Sequence, residues 1–152
     1  MPVITNSRDR LPRVATRAQA LLVFAYSTGA AALAGEGAVH VQQYVTLLHV
    51  VRWIGPLFLA NAAACAATIV GLAFRPMRQL AALGGIVVSV LALGGLVLSY
   101  GPGLFGWHEA GFRTSIAVAV ITEVVATIAL TLALAVAAAR LRETVGRSTL
   151  YG

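Results

Sequence analysis

The sequence is poor in charge and contains no lysine, so all eleven of its basic residues are arginines. Only 11% of the 152 residues are charged, whereas an ordinary soluble domain has about 25%. The one cysteine, Cys65, excludes an internal disulfide, a CxxC redox motif and a cysteine zinc site. With 59% hydrophobic residues and a mean hydropathy of +0.87, the composition predicts an integral membrane protein with one domain.

The excess of basic residues gives a formal net charge of +6, which in a soluble protein would suggest nucleic-acid binding. Here the arginines cluster at the ends of apolar runs, where they set the orientation of membrane helices. We therefore expect no nucleic-acid partner. The chain has no GxSxG nucleophile motif and, without lysine, no GxxxxGK[ST] phosphate-binding loop. These absences favour a protein that is not an enzyme, and no residue is predicted to be catalytic.

Four apolar runs are each long enough to cross a bilayer, which takes roughly 20 residues. The predicted spans are 18–39, 53–74, 80–100 and 115–139, within a single transmembrane domain of residues 1–152 that has short basic cytoplasmic tails at 1–17 and 140–152. Short connections between them favour an all-α four-helix bundle with up-down-up-down order. A secretory signal peptide, cleaved near Ala34, is an alternative interpretation of the first run.

The arginines also predict the orientation of the bundle. The two tails and the turn at residues 75–78 hold nine of the eleven arginines. Because positively charged connections stay in the cytoplasm, we expect both termini on that side of the cytoplasmic (inner) membrane. The other two connections would then lie on the outer side.

The fourth apolar run contains a single ionisable residue, Glu123, about two turns from its start. A carboxyl group inside a membrane is costly and is by default a candidate for function. We predict an intramembrane polar site formed by Glu123 with Asn61, Thr28 and Tyr26. Proton or solute transport through Glu123 is one interpretation. The other is a purely structural glutamate that joins the helices by hydrogen bonds.

The three histidines and two further glutamates fall in or near the predicted outer connections. They are His40, His49, His108, Glu36 and Glu109. Imidazole and carboxylate groups can bind zinc or copper, and two histidines can hold a haem, so the cofactor hypotheses are a metal ion or haem. The competing interpretation is that these side chains are solvated loop residues.

Two stretches, GAVHVQQYVTLLHVVRWIGPLFLANAAACAA and GLFGWHEAGFRTSIAVAVITEVVA, resemble a pattern in small uncharacterised bacterial membrane proteins. The shared features are four spans, a histidine near the first outer connection, a Gly-x-x-Phe entry to the second span and a glutamate in the fourth. Here these are His40, Gly55 with Phe58, and Glu123. The resemblance implies the four-span fold and no activity. The Pro-Glu-His outer motif common in those proteins is missing here.

Small residues are frequent on the first three spans, and Ser27, Ala31 and Gly35 lie four residues apart on one helical face. Such faces let membrane helices approach closely. We therefore expect an accessory or structural subunit of a larger membrane assembly, with other membrane subunits or further copies of the chain as partners. The alternative is a small transporter or a metal- or haem-binding redox protein that uses Glu123 and the outer histidines.

Overall fold

A computed structural model describes residues 11–148 of the chain, and their side chains from 17 to 143. The four long helices are α1 (Leu11–Thr46), α2 (Ile54–Ala73), α3 (Arg78–Tyr100) and α4 (Thr114–Ser148), and the connections contain two short 3-10 helices, Leu48–Val50 and Arg75–Met77. Each long helix contains a stretch that is long and apolar enough to cross a membrane. The prediction of an all-α fold with four helices that are long and apolar enough to span a membrane is therefore confirmed.

The helix bounds differ from the predicted spans, most of all at the end of the first. Helix α1 continues past Val39 to Thr46, so His40 lies inside a helix rather than in a connection, and Glu36 lies well before the end of that helix. It continues because its polar stripe is buried against the other helices and no proline interrupts it. Helices α1 and α4 also extend into the predicted tails. Residues 1–10 and 149–152 of those tails lie outside the described residues.

Each helix packs mainly against two of the others. Helix α1 lies against α2 and α4, and α3 lies against the same two helices from the other side. The tightest packing surrounds the fully buried side chain of Leu130. A Cβ atom placed on Gly29 of α1 or on Gly85 of α3 would lie 2.5 or 2.6 Å from that side chain. The two glycines therefore form a slot that Leu130 of α4 fills.

Large apolar side chains cover the outside of the helices. Leu91 is 69% exposed, and Val97 and Ile128 are similarly exposed. A soluble monomer rarely exposes such continuous apolar surface, whereas hydrocarbon is a suitable surrounding for it. The four helices are those of a candidate multi-pass membrane protein.

The connections at residues 47–53 and 101–113 lie side by side, because both line one shallow pocket. We call the end of the helix bundle at which these two connections lie the connection end. Its second connection contains a tight turn in which Phe105 and Gly106 both have positive φ, closed by paired backbone hydrogen bonds of 2.9 Å between Leu104 and Trp107. Positive φ at both central residues is the signature of a type I′ turn.

The turn between α2 and α3 is held by Arg78. Its Nε–H donates a 2.8 Å hydrogen bond to the Leu72 carbonyl oxygen, which is one of the unpaired carbonyls at the end of α2. Its guanidinium group also lies 5.4 Å from the ring centroid of Tyr26, a cation–π contact with α1. One arginine thus joins three helices at this end.

Candidate functional site

Polar side chains from all four helices meet inside the helix bundle. This polar cluster consists of Glu36 and His40 from α1, Asn61 and Cys65 from α2, Ser89 from α3 and Glu123 from α4. Counted along each helix from the connection end at 1.5 Å per residue, four members of the cluster, Glu36, Asn61, Ser89 and Glu123, lie about 10–17 Å deep. The cluster therefore occupies one layer of the bundle.

Glu36 is the centre of the cluster and is 0% exposed. Its Oε1 accepts a 3.0 Å hydrogen bond from Asn61 Nδ2, and its Oε2 accepts a 2.7 Å hydrogen bond from Ser89 Oγ. The Cys65 thiol in turn donates to Asn61 Oδ1 at 3.5 Å. A buried carboxyl group is tolerable when each of its oxygens has a donor. Glu36 consequently joins α1, α2 and α3 through a single side chain.

His40 lies one turn further along α1, and its tautomer can be inferred from its hydrogen bond. Its Nδ1 is 2.9 Å from the carbonyl oxygen of Glu36, and because a carbonyl only accepts, Nδ1 carries the proton. The remaining nitrogen, Nε2, faces Glu123 Oε1 at 3.8 Å. Phe58 packs on the imidazole with ring centroids 4.8 Å apart. The ring therefore presents one titratable nitrogen to the carboxyl group of α4.

Glu123 is 2% exposed, and its Oε2 is buried with no hydrogen-bond partner among the described residues. Two protonation states satisfy its geometry with His40: a protonated Nε2 facing a carboxylate, or a carboxylic acid facing an unprotonated Nε2. Both states hold one proton between the same two groups. The separation of 3.8 Å exceeds a hydrogen bond, so transfer needs a closer approach or an intervening water.

A cavity of about 320 Å³ lies beside this pair. Its polar lining includes His40, Gln43, Asn61, Ser99, Glu109 and Glu123, and the rest is mostly aliphatic and aromatic side chains from α2, α3, α4 and the second connection. Small-molecule sites are typically apolar clefts of about 300–1,000 Å³ with a few polar groups that fix orientation. The cavity has the composition of such a site and is at the small end of that range.

The structure brings some residues of the predicted intramembrane site together and not others. Asn61 and Glu123 line the same cavity. Tyr26 contacts Arg78 at the opposite end of the helices. Thr28 lies eight residues before Glu36, which is about 12 Å along α1. Neither Tyr26 nor Thr28 is a member of the polar cluster.

The residues of the metal and haem hypotheses are dispersed. His49 is exposed, with Nδ1 3.3 Å from the Tyr44 carbonyl oxygen. His108 is exposed and packs against Gly103, and Glu109 forms a 2.8 Å ion pair with Arg113. No group of three His, Cys, Asp or Glu side chains that could hold a metal ion exists among the described residues. These side chains therefore form no metal site with three such ligands, and the haem hypothesis stays a prediction.

Sequence reasoning missed Ser89 and placed Glu36 at the outer end of the first span, beside the connection. The available signal for Glu36 was the spacing of Glu36, His40 and Gln43, which puts all three on one face of a continuous helix. All three are buried in the structure. For Ser89, the only signal was a hydroxyl group within an apolar span, and nothing in the sequence pairs it with a glutamate 53 residues earlier.

The fold and the site together define a candidate multi-pass membrane protein with a buried polar cluster beside a small cavity. No protein-family model, curated protein or solved structure matches the chain.

Proposed function

We propose that the chain is a small membrane transporter that binds its solute in the cavity and exchanges a proton at His40 and Glu123. The observation that supports this most strongly is Glu123 Oε2, a buried carboxyl oxygen without a hydrogen-bond partner among the described residues, on a residue that lines the cavity. Orphaned buried oxygens cost free energy unless something binds them. Intramembrane carboxyl groups with such surroundings are characteristic of proton and solute pathways.

The exchange needs only the groups already present. When Glu123 is a carboxylate, its Oε2 accepts a hydrogen bond from a solute in the cavity. When the solute leaves, a proton takes its place on the pair, on Nε2 or on the carboxyl group. The site then alternates between a loaded form and a protonated form, and one proton moves for each binding event.

The other ionisable groups near His40 and Glu123 already have partners of their own. Glu36 already accepts two hydrogen bonds, so neither of its oxygens is free for a solute. The Cys65 thiol is occupied with Asn61. Glu109 is paired with Arg113 at the connection end. Helix α3 lines the cavity with one hydroxyl group, that of Ser99, and otherwise with apolar residues. Glu123 and His40 are therefore the groups that can change their protonation on binding.

We test the proton exchange by pH-dependent infrared difference spectroscopy on the purified protein in lipid nanodiscs. The carboxylic acid C=O band of Glu123 should appear as the pH is lowered and should be missing in Glu123→Gln, whose spectrum keeps the bands of the other carboxyl groups. The matched control is Glu143→Gln, which removes an exposed carboxyl group from the same helix and should keep the band. A spectrum that is the same for wild type and Glu123→Gln refutes exchange at this residue.

Transport itself is tested in proteoliposomes that contain a trapped pH-sensitive dye. Under an imposed pH gradient and with a panel of labelled small molecules outside, wild type should couple solute uptake to a change of internal pH. Glu123→Gln should abolish the coupling, because the amide binds no exchangeable proton. Uptake that leaves the internal pH unchanged would show that the solute moves without a proton.

We further propose an up-down-up-down bundle in the cytoplasmic membrane, with both termini in the cytoplasm. The adjacency of the two connections and the distribution of arginines support this. A cysteine introduced at Gly106 should react with a membrane-impermeant maleimide on whole cells, and one introduced at Pro76 should not. The reverse labelling pattern would show that the protein has the opposite orientation in the membrane.

A second candidate function, an accessory subunit of a membrane assembly, is favoured by one outward-facing surface. Ser27, Ala31, Ala34 and Ala38 all lie exposed along one side of α1, where small residues allow another helix to approach. If this surface binds a partner subunit or a second copy of the chain, the larger side chain of Ala31→Leu should cause that partner to be lost during mild-detergent purification. The control Ala63→Leu on α2 should keep the partner. Equal recovery from both variants would exclude this surface.

A further inference from the structure

We infer that the cavity binds a lipid-soluble primary amine with a short hydrocarbon tail, and that this molecule enters sideways from the bilayer between α2 and α3. The inference deepens the proposed function, because it rests on the same cavity and names the class of molecule and its route. Three features of the structure carry it: the divergence of α2 and α3, the exposed residues at the mouth of the cavity, and the unpaired acceptor within.

Helices α2 and α3 touch near the turn that joins them and separate toward the connection end. A Cβ atom on Gly84 would lie 3.9 Å from Thr68 of α2. Gly95 lies eleven residues later, which is about three turns of 3.6 residues, and so it presents nearly the same face of α3. A Cβ atom there would meet no atom of α2 within 4 Å, but only Leu104 of the second connection. The cavity occupies the space that this divergence leaves.

The mouth of the cavity lies on the side of the bundle. Among the lining residues, Leu57 and Ala60 of α2 and Leu91 of α3 are exposed, with Leu57 at 44%. Leu91 is near the middle of α3, at a height where a spanning helix is surrounded by lipid tails. At the connection end the cavity is covered by Leu48, which is buried, and by Trp107. A molecule dissolved in the bilayer therefore meets an apolar entrance directly.

The interior favours a positively charged hydrogen-bond donor. The cluster contains two carboxyl groups, Glu36 and Glu123, and one imidazole, and of the carboxyl groups only that of Glu123 faces the imidazole. An ionised Glu123 beside an unprotonated His40 therefore lacks a positive charge next to it. The free acceptor is Glu123 Oε2, and only a donor can satisfy it. A primary ammonium group supplies both the charge and the N–H. The largely apolar walls of the cavity accommodate a hydrocarbon tail, and a volume of about 320 Å³ limits that tail to a short one.

Charge is conserved in the exchange. The amine releases one proton to water at the membrane surface and enters the cavity uncharged. It then takes up the proton held between His40 and Glu123, and the resulting ammonium group forms N–H···O hydrogen bonds with the Glu123 carboxylate. One positive charge replaces another, so the cavity avoids holding an uncompensated carboxylate in a medium of low dielectric.

The test uses radiolabelled octylamine and octyltrimethylammonium with the protein in nanodiscs. Both probes are cations with the same tail, but only the first has N–H donors. We expect saturable binding of octylamine that is about tenfold or more tighter than that of octyltrimethylammonium, the factor for one charged hydrogen bond. Glu123→Gln should remove this preference. Absence of saturable octylamine binding, or equal affinity for the two probes in wild type, overturns the inference.

The route is tested separately by blocking the mouth. Ala60→Trp places an indole at the gap, and Ala63→Trp places the same group on an exposed part of α2 that does not line the cavity. Octylamine should associate about tenfold or more slowly with the first variant, since entry then needs displacement of a large side chain, and at the wild-type rate with the second. Equal association rates for the two variants overturn the lateral route.

The two proposals fail in different ways. If octylamine binds with the expected preference but wild type lacks the infrared band of Glu123, the ligand class stands and the proton exchange does not. If the band is present and octylamine does not bind, Glu123 exchanges protons for another kind of solute, and the amine inference is wrong.

Discussion

Replacing Glu36 by alanine should destabilise the protein more than any other single loss in the polar cluster. The change removes the acceptor of both the Asn61 and the Ser89 hydrogen bonds and leaves two buried donors unpaired. Hydrogen bonds between membrane helices contribute ~0.6 kcal/mol on average and up to ~1.7 kcal/mol. Both bonds here are short and end on a carboxyl group, which places them near the upper value. With the lost packing of one methylene group, that of Cγ, at ~0.8 kcal/mol, the expected cost is about 4 kcal/mol.

The pairwise part of this cost can be isolated by a double-mutant cycle of Glu36→Ala with Ser89→Ala. Unfolding is followed by far-UV circular dichroism as SDS is added to mixed micelles. We expect a coupling free energy of about 1–1.5 kcal/mol for the 2.7 Å bond. Ser27→Ala, an exposed position on α1, serves as the matched control and should change stability by less than ~0.5 kcal/mol.

The result that refutes this reasoning is a coupling near zero together with a Ser89→Ala cost equal to that of the control. Glu36 and Ser89 would then not share a bond that matters to stability. The role of Glu36 as the joint between α1 and α3 would have to be abandoned.

Two further predictions concern helix packing. Gly85→Ala should destabilise the protein by about 1–3 kcal/mol through overpacking, because the new Cβ would lie 2.6 Å from the fully buried Leu130. The control Gly94→Ala places its Cβ where no atom lies within 4 Å, so in the same unfolding assay it should be neutral or stabilising by up to ~1 kcal/mol. Equal effects at the two glycines would contradict the slot. Arg78→Ala should cost about 1–2 kcal/mol of stability through loss of its hydrogen bond to Leu72 and its cation–π contact with Tyr26. The control Arg75→Ala, at an exposed position of the same turn, should cost less than ~0.5 kcal/mol. A larger loss at Arg75 would show that charge alone matters in this turn.

The number and nature of the helices could be predicted from the sequence because lipid imposes a simple rule on composition. A run of about 20 apolar residues has few alternatives to a spanning helix. The single carboxyl group of the fourth run stands out for the same reason. Glu123 could therefore be selected before its neighbours were known.

The partners of Glu123 could not be found in the same way. Glu36 stands between two glycines, a context typical of a connection, and only the continuous helix through Thr46 places it inside the bundle. Which helix faces meet depends on packing of the whole chain, so the bond from Ser89 has no local signature. The cavity likewise results from the divergence of α2 and α3, which residue types alone do not encode.

The slot around Leu130 has a consequence for the distant proton pair. Leu130 follows Glu123 by seven residues, two turns on the same side of α4, so whatever fixes one fixes the height of the other. If α4 slid by one turn, Glu123 would travel about 5.4 Å along its axis and lose its place opposite His40. Gly29 and Gly85 thus fix the position of α4 along its axis. A mutation that loosens their packing against Leu130 would therefore disturb the contact between His40 and Glu123, roughly 10 Å away.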